Sequence, residues 1–224
     1  MRVLLTLAFL AIVLSACSSP KTSYYTLSGS PVSPAPVTSN QTRVMVGPVT
    51  LPEQLDQPLL VVQNSSNQVS VFEYHRWAGS LKGDVGRVIA ANLASELGTP
   101  NVWNYSQSTQ TQYDYQVLID VQSLDSRLGE AVVFDVSWTI KPTISKSEEV
   151  ASNGAKNKAV VAGKSSAAEN AASSAITNAS PKTRNVSGRS LVREPVSNAG
   201  IEALVAAQSR ALTKVSQDIA KSLN

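Results

Sequence analysis

Side chains able to do chemistry are few in this chain, and their scarcity limits what the protein can be. There is one histidine, His75, and one cysteine, Cys17, in 224 residues. A lone histidine cannot build a multi-histidine metal site. It could still serve a Ser-His-Asp triad, because serine and aspartate abound, but no G-x-S-x-G turn presents a nucleophile. Gly163-Lys164-Ser165 imitates the end of a phosphate-binding loop, yet Lys158 stands where the leading glycine belongs. A single thiol has no partner for an intramolecular disulfide. The expectation is therefore no metal, no cofactor and no catalytic residue, with His75 in a structural or interface role. What chemistry remains lies at Cys17.

Cys17 stands at the foot of the run MRVLLTLAFLAIVLSA. Arg2 is its only charge, Val3 to Leu14 is apolar apart from Thr6, and the small residues Ser15 and Ala16 lead to the cysteine. A positive start, an apolar stretch of about 7–15 residues and a small-residue cleavage site form a secretory signal. A membrane-spanning helix would need about 20 apolar residues. An ordinary signal with an incidental cysteine, or a short uncleaved anchor, would leave the place of the sole cysteine to coincidence. Leu14-Ser15-Ala16-Cys17 also resembles the lipobox of bacterial lipoproteins. That resemblance implies cleavage between Ala16 and Cys17, with an S-diacylglycerol and an N-acyl chain such as palmitate on Cys17. Two or more chains anchor stably where one holds only marginally. Ser18, where an inner-membrane retention signal would carry Asp, implies the outer membrane, facing the periplasm.

Cleavage would leave 208 residues (224 minus 16), the size of one domain, and 18 basic residues (19 minus Arg2) against 16 acidic. The near balance hides an asymmetry. Arg43 to Ile140 holds five basic and ten acidic residues, whereas Lys141 to Arg193 holds nine basic and three acidic. Such a split fits nucleic acid or an anionic membrane, and a secretory signal argues against nucleic acid.

The elements that must position these residues can be read from periodicity. Residues 17–42 form a Ser-, Pro- and Thr-rich tether, within which Tyr24-Tyr25-Thr26-Leu27 has strand character. Arg43 to Leu51 reads as a strand interrupted at Gly47-Pro48. Leu59 to Gln63 and Gln68 to Phe72 flank a polar turn and form a hairpin, followed by a link from Glu73 to Ser80. Leu81, Val85, Val88, Ile89, Leu93 and Leu97 mark one helical face, stopped by Gly98 and Pro100. Alternation around Tyr113 to Val121 and Val132 to Ile140 predicts the strongest strand pair, joined through Asp125 to Gly129. Thr143 to Ser180 is rich in Ala, Ser, Asn and Lys, without aromatics, and reads as a mobile insertion with at most a weak helix near Ala167 to Ile176. Thr183 to Val192 returns to strand spacing. Asn198 then caps a closing helix lined by Ile201, Leu204, Val205, Leu212, Val215, Ile219 and Leu223. The predicted fold is α+β, a mainly antiparallel sheet packed against two helices. The domain spans 43–224 with insertion 143–180, after a signal peptide at 1–16.

Several stretches together resemble one lipoprotein family. These are "YYTL" soon after the cysteine, "LPEQLDQP" at Leu51 to Pro58, and Glu73-Tyr-His-Arg-Trp77-Ala ahead of the Leu81 helix. Val102-Trp103 and the closing helix from Leu204 to Leu223 complete the set. The family is that of ABC-type transport auxiliary lipoproteins, which includes the paraquat-inducible protein C group. The long insertion is a departure from its pattern. The resemblance implies a non-enzymatic outer-membrane subunit that works with a mammalian-cell-entry (MCE) domain protein and docks or terminates its lipid conduit. A homo-oligomeric ring is the expected assembly. Tyr74, Arg76 and Trp77 are candidates for a subunit or partner interface, since such residues dominate binding hot spots, with core packing the competing role. Trp103 and Tyr105 carry the same two readings, while Trp138 is expected in the core. A structural adaptor for another envelope assembly or for peptidoglycan is the alternative function, and an envelope hydrolase the third.

Overall fold

The computed structural model describes residues 20–29, 42–143 and 184–223. Ala16, Cys17, the imitation phosphate loop and the insertion beyond Thr143 lie outside them. The order of elements is β1 (Ser23–Tyr25), β2 (Val44–Thr50), a short 3-10 turn (Glu53–Leu55), β3 (Leu59–Ser65), β4 (Gln68–Trp77), α1 (Leu81–Leu97), β5 (Val102–Asn104), β6 (Tyr115–Ser126), β7 (Ala131–Pro142), β8 (Val186–Pro195) and α2 (Ile201–Leu223). The fold is α+β, as its patterning predicts. The strands divide into two sheets, ordered β1-β4-β3 and β5-β2-β6-β7-β8. The long strands pair antiparallel, β6 with β7 and β7 with β8. Three parallel pairings join distant segments: β1 with β4, β2 with β5 and β2 with β6.

The larger sheet carries the core. Val117, Ile119 and Val121 of β6 and Val132, Phe134, Val136, Trp138 and Ile140 of β7 are all buried, every second residue on each strand. Period-two spacing sends these side chains to the face that the helices cover. Helix α1 lies over β2 and β5, and α2 over β7 and β8. Burying each Val, Leu, Ile or Phe side chain stabilises the fold by about 1.5–3 kcal/mol. Two glycines set close approaches. A Cβ on Gly86 of α1 would lie 2.8 Å from the Asn104 Oδ1 of β5, so the helix needs glycine to seat there. A Cβ on Gly188 would lie 2.2 Å from the Trp138 ring, which packs flat against its cross-strand neighbour.

Both helices have the expected extents, and their caps explain them. Ser80 accepts a hydrogen bond from the Gly83 N–H, and Gly98 ends α1 in the left-handed region at φ 61°. Asn198 stands two residues ahead of the N-cap position, Gly200, rather than capping the helix itself. Its Oδ1 accepts from the Gly200 N–H at 2.8 Å, turning the chain into α2.

The smaller sheet departs most from its expected form. Glu73 to Trp77 continues β4, in place of the link that its sequence suggests. Leu60 pairs with Phe72 and Leu59 with Arg76, so Glu73, Tyr74 and His75 have no counterparts on β3. A bulge of that kind breaks alternation and hides the strand. Conversely, Thr26 and Leu27 leave the sheet that Ser23–Tyr25 joins. The short β5 adds a strand that periodicity does not announce, and β6 runs on to Ser126, narrowing the β6–β7 turn to Arg127–Glu130.

Candidate functional site

The segment that leads in from the proposed anchor is fastened to the body within a few residues. Past β1, the Leu27 side chain is buried and its N–H donates to Asp84 Oδ2 at 3.1 Å, while the Thr26 hydroxyl donates to the same oxygen at 2.9 Å. Arg87 closes the arrangement, donating from Nη2 to the Leu27 carbonyl at 2.6 Å and to Asp84 Oδ1 at 2.9 Å. Asp84 sits in the first turn of α1, where a carboxylate is favoured by the helix dipole. Next, the Ser28 N–H donates to Ser209 Oγ of α2 at 3.0 Å. Residues 26–28 are thus tied to both helices. A cleft of about 740 Å³ remains between this segment and α2, lined among others by Tyr24, Tyr25, Glu202, Val205 and Ser209.

Beside it, β1 and β4 divide the predicted interface residues between two faces. Ser23 pairs with His75, Tyr24 with Arg76 and Tyr25 with Trp77. Trp77 is 5% exposed and packs in the core, so the structure gives it a supporting position rather than a surface one. His75 lies on that inner side. Its Nδ1 meets the Tyr25 hydroxyl at 2.8 Å, and the edge of Phe72 packs against its ring. That environment is aromatic, and it accounts for a histidine held in place by packing. Tyr24 and Tyr74 are turned outward, 66% and 39% exposed. Arg76 is half-buried, and its Nε donates to the Glu73 carbonyl at 3.4 Å. It takes part in no ion pair among the described residues. Tyr24 is legible in the sequence only as a strand residue, and nothing local shows that it stands next to Arg76. Trp103 is half-buried and Tyr105 exposed, both away from this group, and Trp138 is in the core as expected.

Two buried polar groups of β8 fasten that strand to α2. Glu194 of β8 is 4% exposed and faces Arg210 and Lys214. Arg210 Nε donates to Oε2 at 3.2 Å, and Lys214 Nζ lies 2.5 Å from Oε1 in an ion pair. Burial pushes the Glu194 carboxyl up, but the two cations more than offset it and hold it below the usual carboxylate range. The Trp138 indole donates to Ser190 Oγ at 3.2 Å, and Ser190 donates to Asp218 Oδ2 of α2 at 3.0 Å. Each link joins the edge strand to the helix, which reads as architecture.

Among the described residues, no group of three His, Cys, Asp or Glu side chains is placed to hold a metal ion. None of the described helices is long and apolar enough to cross a membrane.

Comparison with known proteins agrees with the geometry. Two crystal structures share the fold. One, of an uncharacterized protein, has a TM-score of 0.60 at 17% identity, covering 92% of this chain and all of the other. The second, protein XCC0632 from Xanthomonas campestris, has a TM-score of 0.55 at 14% identity and covers 89% of this chain and 93% of its own. Identities this low speak for the fold alone. No curated protein matches the chain. The family profile for the ABC-type transport auxiliary lipoprotein component matches residues 25–180, from the second residue of the tyrosine pair in β1 through the segment read as an insertion. With well over half its length matched, the chain belongs to the family of ABC-type transport auxiliary lipoprotein components.

Proposed function

We propose that this protein is the outer-membrane subunit of an MCE-type system that moves lipid between the two membranes of the envelope, and that it acts without catalysis. Cys17 carries the acyl anchor after cleavage behind Ala16. The folded body faces the periplasm, binds an MCE-domain protein, and docks or terminates its conduit. In doing so it supports envelope integrity. A homo-oligomeric ring suits that task, because head-to-tail contacts that close by rotation make cyclic assemblies. Tyr74 and Arg76 belong to a contact face, with Trp77 packed beneath as its support. The insertion at 143–180, with four lysines against three glutamates, tunes orientation toward anionic headgroups through its lysines.

The observation that carries this reading is the family match over residues 25–180. It is supported by the fastening of residues 26–28 to both helices, since a body that must hold station relative to a membrane gains from a short, fixed attachment. The test is affinity purification of the full chain from detergent-solubilised envelopes. Co-recovery of an MCE-domain protein is expected. Recovery of peptidoglycan or pilus components without it would replace the conduit subunit by a structural adaptor. Light scattering on the purified protein should report a mass several times that of one chain. A monomer at every concentration, with or without the partner, would remove the ring.

A further inference from the structure

Tyr24, Tyr74 and Arg76 form one outward group on the sheet β1-β4-β3. The parallel register puts Tyr24 directly beside Arg76, and Tyr74 lies two residues before Arg76 on the same strand. Inner-side neighbours in this register, Tyr25, His75 and Trp77, are buried or half-buried, whereas both outward tyrosines are exposed. Six residue steps separate Cys17 from Ser23, which allows a reach of about 20 Å at full extension. Beyond β1 the chain has no further slack, because Thr26, Leu27 and Ser28 are bonded to α1 and α2.

We infer that this tyrosine–arginine face rests on the headgroups of the anchoring bilayer. The inference rests on the acyl anchor proposed above and names the partner for the contact face at Tyr74 and Arg76. A chain held at Cys17 cannot carry β1 farther from the lipid surface than its short lead permits, so this end of the domain is the one presented to the membrane. The chemistry of the face suits that neighbour. Tyrosine has an apolar ring and a polar tip, the combination enriched at the headgroup level of membranes. Arg76 has no carboxylate partner among the described residues, and its fork of donors matches a phosphate oxygen pair. Glu73, in the same bulge, and Glu202, which lines the cleft with Tyr24, are the acidic neighbours, and Arg76 bonds the Glu73 backbone carbonyl rather than its carboxylate. A protein partner of the same face would bury it equally, and the experiment separates the two.

The test uses the full, acylated chain in vesicles of phosphatidylethanolamine and phosphatidylglycerol. Because Cys17 is the sole cysteine and acylation consumes its thiol, one introduced cysteine can carry a polarity-sensitive fluorophore without competition. Tyr24→Cys and Tyr74→Cys place the probe on the face; both positions are exposed, so the fold is kept. Ser222→Cys places it on an exposed turn of α2, thirteen residues and about 20 Å along the helix from the Ser28–Ser209 contact. Expected are blue-shifted emission and several-fold stronger quenching by brominated lipid at positions 24 and 74 than at 222. Equal, water-like signals at all three positions overturn the inference. So does a blue shift at 24 and 74 that occurs only on adding partner protein and is insensitive to brominated lipid, which would assign the face to protein. Palmitate labelling of the wild type keeps the two readings apart. Without incorporation at Cys17 the anchor reading fails, and the headgroup contact falls with it. With incorporation and water-like probes, only the contact fails.

Discussion

The two sheets are built of similar strands and stabilised by different means. In the five-stranded sheet, every second residue of β6 and β7 enters a continuous apolar core under two helices. In the three-stranded sheet, Leu60, Val62 and Trp77 reach that core, but β1 is only three residues long and its far side meets a cleft. Carboxylate, guanidinium and hydroxyl bonds around Thr26 to Ser28 do the fastening there. Packing carries most of the first region, with the Glu194 and Ser190 links adding to it at the edge strand. Directed bonds make the second region specific in position yet easy to alter. A surface that must meet something else is more readily kept on the second kind of support.

The contrast can be broken most forcefully at Phe134, 1% exposed in the larger sheet. Phe134→Ala should cost about 3–5 kcal/mol in urea unfolding, with the slope unchanged. A loss under about 1 kcal/mol would mean that packing does not carry this sheet. Gly188→Ala comes next. Its new methyl would press into the Trp138 ring, and overpacking of this kind costs about 1–3 kcal/mol.

Glu194→Gln should cost about 1–2 kcal/mol near neutral pH, reduced from a fully buried pair because Arg210 and Lys214 are half-exposed. Its pH dependence has a definite sign. The carboxyl is held below its unfolded value, so its contribution is present above that value and is lost as pH falls through the lower, folded one. Urea midpoints of wild type and Glu194→Gln should therefore converge in acid. A gap that persists well below the carboxylate range would show that shape, rather than charge, accounts for the difference.

Asp84→Ala tests the smaller sheet and should have a smaller global effect, about 1 kcal/mol. Its signature is local: amide exchange should accelerate at Leu27 while the amides of β6 and β7 keep their protection. Uniform acceleration would erase the distinction between the regions. Tyr74→Ser should be smallest of all, within about 0.5 kcal/mol, as expected for an exposed side chain. A larger loss would make Tyr74 part of the core.

What the sequence makes legible follows the same division. The extent of α1 is legible because a regular apolar stripe and the Gly98 and Pro100 stop are local signals, while the Ser80 cap emerges only in the structure. The β6–β7 pair is legible because alternation over ten residues fits a half-buried strand and little else. Both features lie in the region governed by packing. The bulge at Glu73 to His75 conceals the end of β4, since three residues without counterparts on β3 scramble the period on which a strand is recognised. The parallel partners of β1 and β2 are hidden by distance: pairing Ser23 with His75 depends on a closure across some fifty residues, for which neither segment carries a mark. Asp84 and Arg87 look like ordinary solvent-facing helix residues until the chain from Thr26 to Ser28 is laid across them. Tyr74 and Trp77 come forward together as aromatic neighbours, and the intervening residues send one outward and the other into the core.

The parallel pairing of β1 with β4 also determines how the molecule bears mechanical load. Tension on the residues ahead of Ser23 runs along the axis of β1, whose three register pairs with His75, Arg76 and Trp77 are then sheared together. An antiparallel hairpin pulled from its open end would instead unzip rung by rung. Behind the β1 pairs, the bonds to Asp84, Arg87 and Ser209 pass the strain on to two helices. The first strand is thus a clamp, and a tug on the leading segment displaces the whole domain before it can unravel any of it.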